Sequence, residues 1–374
     1  MFSKSGYVIA SLVVALLATS GISLANYLGT GQGKGAGGLA VAPPVTANVE
    51  TRPVPHTGDA ADDSAVWVHP THPSRSTVIG TDKRGGLAVY GLGGGQLFYY
   101  PVGDVNNVDI RYGFPLGGKR VALVVASKYD NTNSIVIYRV NPATRGLQNV
   151  TARPITVGDD IDGMCMYRSA VSGRYFAFST LRDGTVQQWR LQGGSTGKVS
   201  ATKVRTLDVG STVEGCVADD QLGRVYASEE STGIWRYGAE PGAGQTRRLI
   251  DTTTTGHLTS DVEGLAIYRA ARSTGYLIAS SQGNDEYVVY RRGGTNGYVA
   301  TFSIRAGRID ATSHTDGIEV LSFGLGRTFP QGLFIAQDDD NPGGNQNFKL
   351  VPWARVANGV RPRLVIDTSV NPRS

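Results

Sequence analysis

The chain has 374 residues, 40% of them hydrophobic, and a formal net charge of +5. That is ample for a large core, as one big domain or two smaller ones, and no block of Lys or Arg interleaved with aromatics suggests a nucleic-acid partner. Fifty glycines, many Val, Thr and Tyr residues and no long apolar stretch at helical period after residue 30 indicate short strands joined by tight turns, an all-β chain.

Residues 1–25 carry one lysine, Lys4, an apolar run from Tyr7 to about Leu17 and the small-x-small sequence Ser23-Leu24-Ala25. This fits a cleavable export signal, with an uncleaved anchor as the alternative; either way the remainder faces outward, secreted or periplasmic. Residues 26–57, rich in Gly, Ala, Pro and Thr, read as a flexible linker. Their GxGxG-like spacings lack the flanking strand and helix of a dinucleotide site.

From residue 58 onward the chain repeats itself. "DSAVWV" at 63, "NVDIRY" at 107, "DGMCMY" at 162, "EGCVAD" at 214, "EGLAIY" at 263 and "DGIEVL" at 316 share one pattern, an Asp, Asn or Glu leading through a small or β-branched residue into apolar strand, at spacings of 44, 55, 52, 49 and 53 residues. Between them lie further strand candidates such as "STVIGTD", "VALVVAS" and "YLIASSQ". A period near 50 with three or four strands per repeat predicts a six-bladed β-propeller of four-stranded blades over residues 58–374, rather than two sandwiches.

Equivalent positions of successive blades lie on a ring about the propeller axis, so Asp63, Asn107, Asp162, Glu214, Glu263 and Asp316 are expected to converge at one end of the channel. Asp62, Asp109, Asp261 and Asp310 lie close to this ring in sequence. A lone Asp here would be an ordinary turn former. With six in register, the five carboxylates cannot all ionise cheaply without a cation, and an oxygen-only set in an exported protein favours several Ca2+ ions over zinc.

Asp338 and Asn341, in "AQDDDNPGGNQNF", lack EF-hand spacing but suit another kind of calcium loop, to which Gln282 of the preceding blade could contribute. Lys83, Arg84, Arg111, Lys128, Arg182 and Lys203 sit beside the blade segments; individually they are surface charges, but cations next to a metal-filled acidic ring would make a receptor for several phosphates. His69-Pro-Thr-His72 is a turn, and no nucleophile elbow or phosphate loop occurs. Cys165 and Cys216 lie in apolar runs without a CxxC pattern, which favours buried free thiols, although export permits a disulfide.

"DDSAVWVHP", "NNVDIRYGFPL", "EGCVADD", "DVEGLAIY", "LIASSQGNDEYVVY", "TDGIEVLSFGLG" and "GLFIAQDDDN" followed by "NQNFKLVPW" closely resemble, in order over about 58–370, the bacterial β-propeller, alkaline-type phytases. The resemblance implies a six-bladed propeller whose calcium ions partly rivet the fold and partly build an active site at the channel mouth. There a calcium-bound water would attack the phosphomonoesters of phytate (myo-inositol hexakisphosphate) or calcium phytate directly. A phytase of the 3-phytase type is expected, as a monomer with no stable membrane contact after signal cleavage.

By motif, the resemblance makes Glu214, Glu230, Asp261, Glu263, Asp310 and Asp316 catalytic calcium carboxylates and Asp62, Asp63, Asn107 and Asp109 further calcium positions. Asp338, Asn341 and Gln282 match a structural calcium site, and Lys83 or Arg84 with Arg182 match phosphate contacts. Where the family has a tyrosine before the third-repeat glycine this chain has Asp162, an added carboxylate. Where the family has "SNR" it reads "SKY", leaving Lys128 or no residue in place of that arginine. A metal-dependent lactonase or esterase, and a non-catalytic calcium-stabilised propeller that binds a polyanion, remain alternatives on this fold.

Overall fold

A computed structural model describes residues 43–129, 132–158 and 160–374; the expected export signal and residues 26–42 of the expected linker lie outside them. The described chain forms six antiparallel four-stranded sheets. Their innermost strands are Ala61–Trp67, Val105–Leu116, Ile161–Arg168, Val213–Asp219, Val262–Arg269 and Ile318–Leu321, and each begins at or beside one of the six repeat positions. This is the six-bladed β-propeller that the repeat predicts, with blades 1 to 6 in chain order.

Inner and middle strands such as Lys119–Lys128 and Tyr175–Leu181 read as nearly unbroken apolar runs because neighbouring blades cover both of their faces. Outer strands carry polar residues, as in Arg247–Thr252, whose first three residues are exposed. Blade 6 takes its fourth strand from the start of the described chain, where Val49 faces Leu350 and Glu50 faces Lys349. The expected linker therefore joins the fold before residue 58, with Val45, Ala47 and Val54 buried; its Gly and Pro content conceals these apolar anchors.

Five innermost strands shift register at the repeat position: between Ala61 and Ser64, Val105 and Val108, Ile161 and Met164, Val213 and Cys216, and Val262 and Leu265. Such bulges bend a strand and re-aim its side chains. The glycine after the acid is a close-approach residue: a Cβ on Gly163 would stand 2.1 Å from the Glu214 carbonyl oxygen, and one on Gly317 would stand 2.5 Å from Asp63 Cα. Hydroxyls of the second strands tie blade to blade. Ser127 Oγ accepts the Asn107 N–H at 2.8 Å and donates to the Asp162 carbonyl at 3.0 Å. Thr180 Oγ1 accepts the Gly163 N–H at 2.6 Å and donates to the Glu214 carbonyl at 3.0 Å.

Cys165 and Cys216 are not free thiols but a disulfide, with Cα atoms 5.7 Å apart, joining the innermost strands of blades 3 and 4. Innermost strands of adjacent blades belong to different sheets and share no ladder. Propeller packing nevertheless brings equivalent positions of consecutive repeats together, so apolar surroundings in the sequence did not decide between thiol and disulfide. Among the described residues, no helix is long and apolar enough to cross a membrane.

Candidate active site

The bulged strand starts of blades 1, 3, 4 and 5, with the turn before the blade 6 strand, gather Asp62, Asp63, Asp162, Glu214, Glu263 and Asp316 at one mouth of the channel. Lys83 is the central cation: its Nζ lies 2.7 Å from Asp316, 2.8 Å from Asp59 and 3.2 Å from Asp62. Asp316 also accepts the Gln282 side-chain amide, and its own N–H donates to Gln337 Oε1 at 2.9 Å. Asp63 is fixed from blade 2, accepting the Val108 N–H at 3.0 Å, while its own N–H donates to Thr81 Oγ1 at 2.8 Å.

On the other side of the mouth, buried Asp162 accepts Arg182 Nε at 3.0 Å on each carboxylate oxygen. The half-exposed guanidinium also lies over the Tyr129 ring, 6.0 Å from its centroid. Glu230 and Asp261 stand together at the rim, where the Glu230 carbonyl accepts the Val262 N–H at 3.0 Å and the Asp261 carbonyl accepts the Gln282 N–H at 2.9 Å. Asp261 has a φ of 66°, an uncommon conformation for a residue other than glycine that turns the chain into the blade 5 strand.

Burial dominates the electrostatics. It pushes the Glu214 carboxyl up to about 8, helped by the charges of Asp162 and Glu230. It lifts Glu263 well above the ordinary range, with Glu214 and Asp316 adding to it. Asp63 rises to about 7, and Asp62 and Asp162 also rise, although Lys83 and Arg182 respectively pull those two back. The mouth holds more negative charge than its two cations neutralise, so it favours protons or further cations.

Not every expected residue lies here. Asp109 is inside the channel, where Arg111 Nη1 donates to it at 2.9 Å and Arg111 Nε reaches Asp220 at 3.0 Å. Half-buried Glu319 of blade 6 is beside them, pushed up to about 8 by desolvation and then by Asp109. Asn107 flanks Asp63 and steadies its carboxylate.

Asp310 and Gln282 exchange the places that their motifs suggest. Gln282 serves the mouth, whereas Asp310 joins Asp338 and Asn341 in a second cluster around buried Lys349, whose Nζ is 2.6 Å from Asp310, 2.7 Å from Glu50, 3.1 Å from Asp338 and 3.5 Å from Asn341. In this cluster Asp310 Oδ2 and Asn347 Oδ1 are buried without a hydrogen-bond partner, and burial lifts Asp338 to about 6.

Among the basic candidates, Lys83 and Arg182 face the mouth. Arg84 Nε donates to the Asp59 carbonyl at 3.1 Å, and Lys203 lies over Trp189 on an outer strand. The Lys128 stem passes over Gly103 at the crossing from blade 1 to blade 2. His69 Nδ1 accepts the N–H groups of Thr71 and His72, in keeping with a turn.

Sequence reasoning missed Asp59, Gln337, Glu319 and Tyr129. Asp59 precedes the first repeat, and Gln337 is hidden among the acids that follow it. Glu319 and Tyr129 carry no sequence signal beyond their neighbours.

Fold and site together define a six-bladed propeller whose channel mouth sets buried acids against cations, the equipment of a protein that handles charged ligands. A phytase family model matches residues 9–374. Over 338 residues, 88% of each chain, the protein is 44% identical to a 3-phytase of Bacillus subtilis (strain 168). The chain belongs to the phytase family and is a hydrolase. Among solved structures it is similar in fold to a structural genomics protein of unknown function from Bacteroides thetaiotaomicron VPI-5482, with a TM-score of 0.53 and 9% identity over 82% of this chain and 73% of that one.

Proposed function

We propose that the chain hydrolyses the phosphomonoesters of phytate in a calcium-dependent reaction, transferring phosphate directly to water without a phosphoenzyme. The observation that carries this reading is the convergence of Asp62, Asp63, Asp162, Glu214, Glu263 and Asp316 beside Lys83 and Arg182 in a chain of the phytase family. The identity to a 3-phytase supports the substrate and the 3-phytase type.

The residues fit calcium in kind. The donors are all oxygens, the buried carboxylates of the mouth repel one another, and the Lys349 cluster leaves buried acceptor oxygens without partners. Among the described residues no trio of His, Cys, Asp or Glu side chains already stands at a common ligand point, so the partition of ligands among ions is part of the proposal. Glu214, Glu230, Asp261, Glu263, Asp316, Asp62 and Asp63 would hold calcium at the mouth, and Asp310, Asp338 and Asn341 would hold it at the second cluster. Bound calcium supplies positive charge for the phosphoryl oxygens and lowers the pKa of water.

The chain's own groups orient the substrate. Arg182, anchored through Nε, keeps its outer N–H groups for a phosphate, and Asp162 and Tyr129 fix its plane. Lys83 brings a point charge to the opposite side of the mouth. We further propose export on the strength of residues 1–25, which the Cys165–Cys216 disulfide suits. Phosphate release from calcium phytate by wild type and by Glu230→Ala tests the reading: turnover in the wild type and its loss in a folded Glu230→Ala chain are expected, and equal turnover would place the chemistry elsewhere.

A further inference from the structure

The face opposite the mouth carries a different arrangement of charge. Between blades 1 and 2 lies a cavity of about 320 Å³ whose lining includes Lys119, Arg120, Arg139, Arg373, Trp67 and Gln148 and no carboxylate. In blade 2 the repeat residue Asn107 stands near the start of the innermost strand, Val105–Leu116, whereas Lys119 and Arg120 follow its end, roughly 30 Å further along at ~3.3 Å per residue.

These cations are held without being neutralised. Arg120 Nη1 donates to the Gly113 carbonyl, Arg139 Nε to Gln148 Oε1 and Arg373 Nη1 to the Val68 carbonyl, each at 2.9 Å. Arg373 also lies over the Tyr112 ring, 5.0 Å from its centroid. Each guanidinium is oriented by one neutral acceptor and keeps further N–H donors. Among the described residues none of the four cations forms an ion pair, whereas Lys83, Arg111, Arg182, Arg292 and Lys349 all do.

The local field is positive beyond the cavity wall as well: neighbouring His69 is pushed down by burial and then by Arg75, His72, Arg145 and Arg373. Oriented, uncompensated guanidinium forks match phosphate geometry, and the volume is that of a small-molecule site rather than of a single bound ion. The exposed Pro70 and Pro142 add an apolar edge on which a carbon skeleton can rest.

We propose that this cavity is a second, calcium-independent anion site that binds organic phosphate monoesters, remote from the mouth and independent of the chemistry there. Removing calcium with EDTA separates it from the mouth. Calorimetric titration of the full chain with myo-inositol hexakisphosphate in EDTA is expected to show binding that weakens with added salt and is at least tenfold weaker in Arg120→Gln/Arg139→Gln. Arg120→Lys/Arg139→Lys is expected to retain most of it. The glutamine variant should keep the wild-type melting temperature and wild-type turnover of calcium phytate.

Co-sedimentation with phosphatidic acid vesicles, against phosphatidylcholine vesicles, distinguishes the source of the phosphate. Binding to the free phosphate identifies a soluble ligand, and binding to phosphatidic acid alone identifies a lipid headgroup; both support the site if the glutamine variant abolishes them. No binding of either probe in EDTA, or binding unchanged in the glutamine variant, overturns the proposal.

Discussion

Arg182 and Asp162 form a two-oxygen contact in which Nε is 3.0 Å from each carboxylate oxygen, one partner nearly fully buried and the other half-exposed at the channel mouth. Such a pair sets the direction of the outward N–H groups, and losing a charge-assisted contact to a substrate phosphate costs about 1.5–3 kcal/mol. Arg182→Ala should therefore raise KM for phytate about tenfold or more with a smaller effect on kcat. Asp162→Asn, which keeps the guanidinium but loosens it, should raise KM less. Steady-state kinetics of the two variants, with melting temperatures as controls, check this order.

The buried mouth carboxylates make a second prediction, about pH. Glu214 and Asp63 sit near 8 and 7 in the folded chain, well above unfolded carboxyls. The folded state therefore holds more protons than the unfolded state between the ordinary carboxylate range and pH 8, and calcium-free stability falls as pH rises through that window. Thermal melts in EGTA should drop by several degrees from pH 5 to pH 8. Calcium should flatten or reverse the trend, and its binding at pH 7 should release protons, seen as a buffer-dependent binding enthalpy.

Gly317 is the acid–glycine pair at the seam of blades 6 and 1, where an added Cβ would meet Asp63 Cα and Oδ1 at 2.5 Å and the Asp62 carbonyl at 2.6 Å. Gly317→Ala must push blade 1 away from blade 6 at the mouth. It should destabilise the chain by about 1–3 kcal/mol, the usual cost of overpacking, and weaken calcium binding in the same variant. Denaturant unfolding with a calcium titration measures both.

The Cys165–Cys216 bond staples two innermost strands that share no ladder. Cys165→Ala/Cys216→Ala should lose about 2–4 kcal/mol of stability. Chemical denaturation of the oxidised chain beside the double variant gives the difference.

The architecture was legible because six Asp, Asn or Glu positions recur at blade spacing and each leads into an apolar strand; burial on both faces turned "VALVVAS" and "YFAFST" into recognisable runs. Outer strands were not legible, since Arg247–Thr252 and Val199–Asp208 pair on one side only and tolerate charge. Nor was the closing strand Val49–Glu50, two residues whose partner lies almost 300 positions away.

The ring itself could be read from the repeat, but the exact membership of each cluster could not. Asp310 and Gln282 lie on connections whose path depends on neighbouring blades, and that path carries Asp310 to Lys349 and Gln282 to Asp316. The Tyr129–Arg182–Asp162 contact joins residues of two blades over 53 positions of sequence and has no local motif.

The central claim, calcium-dependent hydrolysis of phytate at the acidic mouth, is tested most directly by following phosphate release from phytate through removal and return of calcium. The purified, folded chain should release phosphate with calcium present, stop in excess EGTA and recover when calcium is restored. A folded chain that is inactive on calcium phytate across pH 5 to 9, or that works equally well in EGTA, would contradict the account.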